Sequence, residues 1–405
     1  GSRVGPIMRA TKKRLRILFI CPADVSTAQS FVATVADTGS FDVLVFDSGR
    51  QGPFPAQKWP FPTISIYRSE HPANGWHRWI GLPSNRFVRF LIQKRHWISA
   101  LFLRMVIRVY RPDVVHCLGI NPESRILLRA LRGISKTRRP PWALTSWSAD
   151  VYWDRYKPEC LSHLRESFET VGWFLADCKR DLRIAVELGL SPAKLLIQDA
   201  IPGVGHVNAE NIKRPLRDGP LTILVPKAYD GVYHKPHIML EALSRLRLRG
   251  LTFRLKIIGA QEDVRIWWRL RDPQGEAAAE FFDSLPREEY LEMLRTADIL
   301  LAPSLTDGTP NALLEAMSTG AFPIFSSHES IREWIQDGRN GLLVDPVDCV
   351  DIEQKLIRVF ENRALIPAAA ELNGQIVKER LGKVRMQELL TQGYETLANS
   401  TGGAG

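Results

Sequence analysis

The chain has 405 residues, 45% of them hydrophobic and 24% charged, and a formal charge of +10. That length suits two domains with separate buried cores, and so ordinary a composition excludes collagen-like, low-complexity and repeat architectures. Five scattered cysteines, Cys21, Cys117, Cys160, Cys178 and Cys349, lack zinc or redox spacing, which excludes a disulfide framework and predicts buried thiols in a reducing, cytoplasmic setting.

Gly1 to Ile7 reads as a remnant ahead of Met8, with no leader pattern behind it. Arg16 to Cys21 is predicted as a first parallel strand, Asp24 to Ala36 as a helix and Phe41 to Phe46 as a second strand, a βαβ opening. Gln51 to Asn85 is rich in proline and aromatic residues, including Trp59, Phe61, Trp76, His77 and Trp79, and reads as a loop that receives an acceptor, lies on a membrane interface or tucks its rings inward. Arg86 to Tyr110 is predicted as one long basic helix, with Phe87, Phe90, Leu91, Trp97, Leu101, Met105 and Val109 as its core face. Arg104 and Arg108 interrupt its apolar run, so no membrane span is predicted. Between Arg86 and Arg139 thirteen Lys and Arg face two acids, Asp113 and Glu123. Such a patch suits an anionic membrane surface, an anionic acceptor or nucleic acid, or is a solvated face with no partner.

Pro112 to Gly119 reads as a strand with His116 at its carboxyl end, the edge where open α/β sheets bind ligands; a satisfied strand-end histidine is the other reading. Trp142 to Asp150 and Phe174 to Cys178 are predicted as further strands with their loops, Lys179 to Gly189 as a helix and Leu195 to Ile201 as a strand. Polar residues 208–219 form the best linker, which divides the chain into an N-terminal domain over 8–207, a C-terminal domain over 220–375 and a helix over 376–400 that returns to the N-terminal domain. The second domain restarts with Leu221 to Lys227, followed by a helix from Ile238, a strand over Phe253 to Gly259 and a helix from Arg287.

The most informative stretch is Asp307-Gly308-Thr309-Pro310-Asn311-Ala312-Leu313-Leu314-Glu315, which follows the buried strand Ala297 to Ala302 and precedes Gly320 and another apolar strand. Thr309 fits an N-cap and Pro310 the first helical position, where its missing N–H costs nothing. The free N–H groups of that first turn form a place for a diphosphate. Asn311 and Glu315 share one stripe, so the carboxylate is placed to accept from a vicinal diol such as a ribose, while Asp307 reaches the other end of the same ligand. An ordinary α/β turn with a solvated Glu is the plain alternative.

This segment, with Pro303-Ser304, Arg332-Glu333-Trp334 and Asn340-Gly341-Leu342-Leu343-Val344, resembles the donor-binding core of retaining glycosyltransferases of family four. Those enzymes carry an acid, seven residues and then Glu; here the first acid is Asp307, where Glu is commoner. The resemblance implies an α/β GT-B fold, two Rossmann-like domains facing across a cleft. Lys227 and Lys235 stand where the family clamps the diphosphate with Arg and Lys, and the loop holding Ser284 and Leu285 stands where backbone groups hold the base. Gly308, Thr309, Pro310, Asn311 and Ala312 complete the implied donor site. Trp147-Ser148-Ala149-Asp150 resembles a Trp-Gly-Ser-Asp segment of the same superfamily, with Ser148 where Gly is usual. Asp150 is then an acceptor-side group, or a plain helix cap.

The implied reaction is retaining transfer of a sugar from a nucleotide-diphosphate sugar to the hydroxyl of a sugar or lipid-linked acceptor, in polysaccharide, glycolipid or glycoconjugate assembly at the inner face of a membrane. Lys235, Asp307, His116 and Asp150 are its expected catalytic residues, with Lys235, Lys227 and the helix N-terminus stabilising the leaving diphosphate. No Asp-x-Asp pair or His/Cys cluster stands in a suitable loop, so no metal and no cofactor is expected, and no nucleic-acid partner. Another GT-B enzyme, an epimerase or phosphorylase, or a non-catalytic nucleotide-sugar-binding protein would share the site.

Overall fold

The computed structural model describes residues 14–23, 25–49, 61–67, 78–82, 96–148, 150–209, 214–215, 218–272 and 279–400. They form two compact units, neither contiguous in sequence. The first holds the described residues through Leu144, Val171–Trp173 and those from Leu390 onward; the second holds Thr145–Thr170 and Phe174–Leu389.

Seven strands make one sheet: β1 (Leu15–Cys21), β2 (Phe41–Asp47), β3 (Thr63–Tyr67), β4 (Arg78–Leu82), β5 (Val114–Leu118), β6 (Trp142–Ser146) and β7 (Trp173–Ala176), in the order β4-β3-β2-β1-β5-β6-β7. Every residue of β5, β6 and the edge strand β7 is buried, as expected of parallel strands covered on both faces. Two strands, β3 and β4, lie in the stretch expected to be a loop, and the expectations for Trp59, Trp76, His77, Phe87, Phe90 and Leu91 fall outside the described residues. Leu195 to Ile201 is not a strand, although Ile201 N–H reaches the Ala176 carbonyl at 2.9 Å.

The Trp97–Tyr110 helix turns a different face inward than expected. Ala100, Leu103, Val106 and Ile107 are buried against the Arg125–Arg132 helix, whose carboxyl end receives Arg104 Nε at Ala130 O (3.1 Å) and Arg108 Nη2 at Gly133 O (2.9 Å). With the core side filled, Trp97, Leu101, Met105 and Val109 are left 52, 47, 51 and 80% exposed, a continuous apolar stripe.

Six strands make the second sheet: β8 (Leu221–Val225), β9 (Phe253–Ile258), β10 (Ala279–Phe282), β11 (Ile299–Ala302), β12 (Phe322–Ser326) and β13 (Leu342–Val344), in the order β10-β9-β8-β11-β12-β13 with every pairing parallel. The order reverses between β8 and β11, so the loops after these two strands flank a topological switch point, where such sheets bind ligands. Helices bury Met239, Leu243, Trp268 and Leu356 against the sheet. The helix expected over 376–400 is instead parts of two helices, Leu365–Leu381 and Lys383–Asn399, broken at Gly382, whose ψ of 144° is extended. No helix among the described residues is long and apolar enough to cross a membrane.

His116 sits in the core of the first unit. Its Nδ1 lies 2.6 Å from the Tyr394 hydroxyl, and the rings of Phe19, Phe31 and Trp173 pack around it. Burial lowers its pKa to about 3. This corrects the expectation of a reacting-face histidine at a strand end: His116 is the middle residue of β5, and Tyr394 of the Lys383–Asn399 helix covers it. Because the unfolded chain takes up a proton near pH 6.5 and the folded chain does not, His116 makes stability fall as pH drops from about 6 to 4, by about 1.4 kcal/mol per pH unit. His116→Phe should remove that share of the slope; urea unfolding of both proteins at pH 6 and 4 measures it, and parallel losses would contradict the assignment.

Candidate functional site

The Asn311–Thr319 helix starts one residue later than its sequence suggests. Pro310 is the cap, with an extended ψ of 133°, and no side chain caps the helix; Thr309 Oγ1 instead accepts from Trp334 Nε1 at 3.0 Å. Proline fixes φ in either role, so the sequence alone does not separate them. The outcome for chemistry is the same: a helix N-terminus without a capping side chain opens at the carboxyl end of β11. Its other end stops at Gly320, at φ 83°, which favours glycine.

Asp307 stands just ahead of this helix, 9% exposed, and is held through backbone and side chain together. Its carbonyl accepts from Arg180 Nη1 at 2.8 Å and Ser330 Oγ at 2.9 Å, and its Oδ1 accepts from Ser148 Oγ at 3.0 Å and from Gly308 N–H at 2.9 Å. Ser148 N–H donates to Asp177 Oδ2 at 2.7 Å, and Arg180 Nε donates to Asp181 Oδ1 at 2.8 Å. A Cβ on Gly308 would overlap the Ser148 carbonyl oxygen and both Asp177 carboxylate oxygens, so only glycine lets these segments meet. Burial first, and then the charge of Asp181, push the Asp177 pKa well up, while burial raises Asp181 against the pull of Arg180.

Glu315 lies one turn down the helix and is 6% exposed, not on an open stripe. Arg287, the first residue of the Arg287–Thr296 helix, reaches it at 2.7 Å through Nη1. Burial raises the Glu315 pKa, and Arg287 and then Lys227 oppose the rise. Tyr290 lies beside it, its phenol pushed up by burial and by the Glu315 charge. Lys227 is exposed in the loop after β8, and its charge also adds to the burial that lowers His234. Lys235, also exposed, pairs with Asp230 at 2.9 Å. Ser284 and Leu285 follow β10, Ser284 exposed and Leu285 half-buried. Asp150 opens the short Asp150–Asp154 helix; after burial, its charge is the next cause raising the phenol of Tyr233, whose carbonyl accepts Leu305 N–H at 2.8 Å.

Asp307, Glu315, Lys227 and Asp150 are thus gathered within the second unit, while His116 belongs to the first. Sequence reasoning missed Arg180, Asp177, Ser330 and Arg287. Asp177 and Arg180 carried a signal, since the strand read over Phe174 to Cys178 ends at the edge where ligands bind; Arg287 carried none beyond starting a helix. Among the described residues one acidic and thiol cluster has its ligand atoms close together, Asp177, Cys178 and Asp181. It is wholly buried, and Arg180 already supplies its positive charge.

Two parallel, doubly wound sheets with a helix N-terminus at the switch point of the second define a GT-B protein. Anabaena Alr3699/HepE, solved with UDP and glucose, has the same fold, with a TM-score of 0.67 at 13% identity over 95% of this chain and all of that one. Residues 222–362 match the family described as glycosyl transferases group 1. The putative colanic acid biosynthesis glycosyltransferase WcaL of Salmonella typhimurium is 32% identical over 165 residues, 36% of this chain and 41% of that protein. The amylovoran biosynthesis glycosyltransferase AmsK of Erwinia amylovora is 29% identical over 150 residues, 35% and 37% of the two chains. The chain therefore spans about two fifths of the length of these curated relatives.

The Glu315–Arg287 pair is asymmetric, with the acid buried and the guanidinium 41% exposed on its side chain. Arg287→Met should lower stability by about 1–2 kcal/mol at pH 7, a value discounted for that exposure. Without the guanidinium the Glu315 pKa rises further, so a proton relieves the cost, and the deficit should shrink between pH 7 and pH 5. Equal deficits at both values in thermal unfolding would show that the pair is not electrostatic.

Proposed function

We propose that this protein is a retaining, metal-independent glycosyltransferase of family four that moves a sugar from a nucleotide-diphosphate sugar to an acceptor hydroxyl during polysaccharide or related glycoconjugate assembly. The observation that carries this reading is the helix N-terminus at Asn311, with no capping side chain, set between Asp307 and Glu315 at the switch point. The relatives named for colanic acid and amylovoran biosynthesis support the polysaccharide setting, and the UDP and glucose bound to Alr3699/HepE support the donor class.

Cleavage of the sugar–phosphate bond leaves negative charge on the diphosphate. Lys227 and Lys235, in the loop after β8, and the N–H groups opening the Asn311–Thr319 helix meet that charge. Lys235 is already paired with Asp230, so it turns to the phosphate by exchanging one anionic partner for another. Glu315 accepts from the ribose hydroxyls as Arg287 yields part of its hold, and Asp307 accepts from hydroxyls of the transferred sugar. Ser284 and Leu285 hold the base through their backbone. Asp150 serves the acceptor side, and His116 has no part in the chemistry.

Thermal unfolding in EDTA against UDP, GDP, ADP, CDP and dTDP tests the donor site. One diphosphate should stabilise the wild-type protein by about 2.7 kcal/mol at 100 times its dissociation constant. Glu315→Gln should abolish the response, and the corresponding nucleotide sugar should be turned over with EDTA present. Activity lost in EDTA and restored by a divalent ion would sink metal independence, and release of a sugar phosphate or an epimer in place of a glycoside would favour the other enzyme classes.

The exposed stripe Trp97, Leu101, Met105 and Val109 supports peripheral contact of the first unit with an anionic membrane at the cytoplasmic face, where a lipid-linked acceptor resides. Arg108, Arg111, Arg129 and Arg132 are exposed on or near the same helix. Vesicles with about one third phosphatidylglycerol should co-float the protein, and Trp97→Ser with Val109→Ser should reduce the partition coefficient by about a hundredfold, since each of the two buried apolar side chains contributes on the order of 1.5 kcal/mol. Equal flotation of the double variant would move the membrane contact elsewhere or remove it.

A further inference from the structure

Two departures from the family pattern, Asp307 in place of the commoner glutamate and Ser148 in place of the usual glycine, stand 159 residues apart in sequence and touch in space. Ser148 Oγ donates to Asp307 Oδ1 at 3.0 Å. Both hydrogen bonds that the Asp307 carboxylate accepts end on Oδ1, from Ser148 and from Gly308 N–H, and among the described residues none ends on Oδ2. Ser148 is held at φ 59°, the left-handed region that favours glycine and that a serine side chain enters only at some cost. Asp177 secures it there by accepting its N–H, and the bare Cα of Gly308 lets the Ser148 carbonyl and the Asp177 carboxylate close over the turn.

We propose that Ser148 is a positioning residue matched to the shorter acid. The hydroxymethyl group fills the length that Asp307 lacks relative to glutamate and ties down Oδ1, so that Oδ2 alone is offered to a hydroxyl of the donor sugar. A strained serine is kept because its hydroxyl sets the direction of the carboxylate. This rests on the transferase reading of Asp307. A single-oxygen grip by a short, clamped arm admits fewer sugar orientations than a glutamate swinging on two methylenes, so the pair also narrows donor choice.

The pair is tested by a double-mutant cycle on the full chain, reading release of nucleoside diphosphate from a panel of UDP-, GDP-, ADP-, CDP- and dTDP-hexoses, with unfolding followed in parallel. Ser148→Gly relieves the backbone and should not lower the unfolding temperature, yet kcat/KM for the preferred donor should fall about tenfold, the loss of one hydrogen bond to a charged group. Ser148→Ala, which keeps the Cβ and loses only the hydroxyl, should fall as far. Asp307→Glu overfills the space beside Ser148 and should also fall about tenfold. Ser148→Gly combined with Asp307→Glu should return to within about threefold of the wild-type value, and its discrimination among sugars should relax. Losses that multiply in the double variant, or a Ser148→Gly protein that loses stability and activity together, would overturn the proposal while leaving the transferase reading intact. A wild-type protein that turns over no member of the panel would overturn the reading on which it rests.

Discussion

Arg180 has a buried guanidinium, 4% exposed, that donates through one nitrogen to the Asp307 carbonyl and through another to Asp181. A charge so removed from water is tolerable only where a partner is supplied, and Asp181, itself fully buried, is that partner. The guanidinium in turn decides where the backbone of Asp307 lies. Glu333 extends the same arrangement by accepting the N–H groups of Lys179 and Arg180 at 2.8 and 3.3 Å, so the start of the Lys179–Glu187 helix is capped by a residue 154 positions away. From Glu333 the chain of contacts continues through Trp334, whose indole holds Thr309 and whose ring carries the Arg380 guanidinium at 3.5 Å. Segments distant in sequence are thus tied to one turn by charge-assisted bonds rather than by apolar packing.

The site follows a division of labour between buried and exposed charge. Asp307, Glu315, Asp177 and Asp181 are enclosed, and their partners fix them in direction. Lys227 and Lys235 stand in the open, Lys235 paired with the exposed Asp230. Enclosed acids suit the recognition of neutral hydroxyls, where geometry discriminates. In the proposed reading, exposed ammonium groups suit a diphosphate, whose charge is spread over several oxygens.

Much of this was legible in the residues. The run from Asp307 to Glu315 announced a strand, a turn and a helix N-terminus by local chemistry, and the parallel strands announced themselves as short apolar runs. What escaped reading depended on three-dimensional closure. Trp97, Leu101, Met105 and Val109 have the spacing of a core stripe, but Ala100, Leu103 and Ile107 have an equally good one, and only the Arg125–Arg132 helix decides between them. His116 has the position of a ligand-facing residue, and nothing near it in sequence reveals that Tyr394 will cover it. Glu315 shares a stripe with Asn311 as its spacing requires, yet Arg287 arrives from a different helix to claim it.

Tyr394 has one more consequence. The aromatic cluster of the first unit contains Phe19 and Phe31 from near the start of the chain, Trp173 from its middle and Tyr394 from its final helix. During synthesis the second unit, which ends at Leu389, is made before Tyr394 is. At about 5–20 residues per second, the unit begun first waits some tens of seconds for its last ring and is the last to close. The cluster around Phe19, Phe31 and His116 is therefore complete only once Tyr394 has been made, an order of assembly set by topology alone.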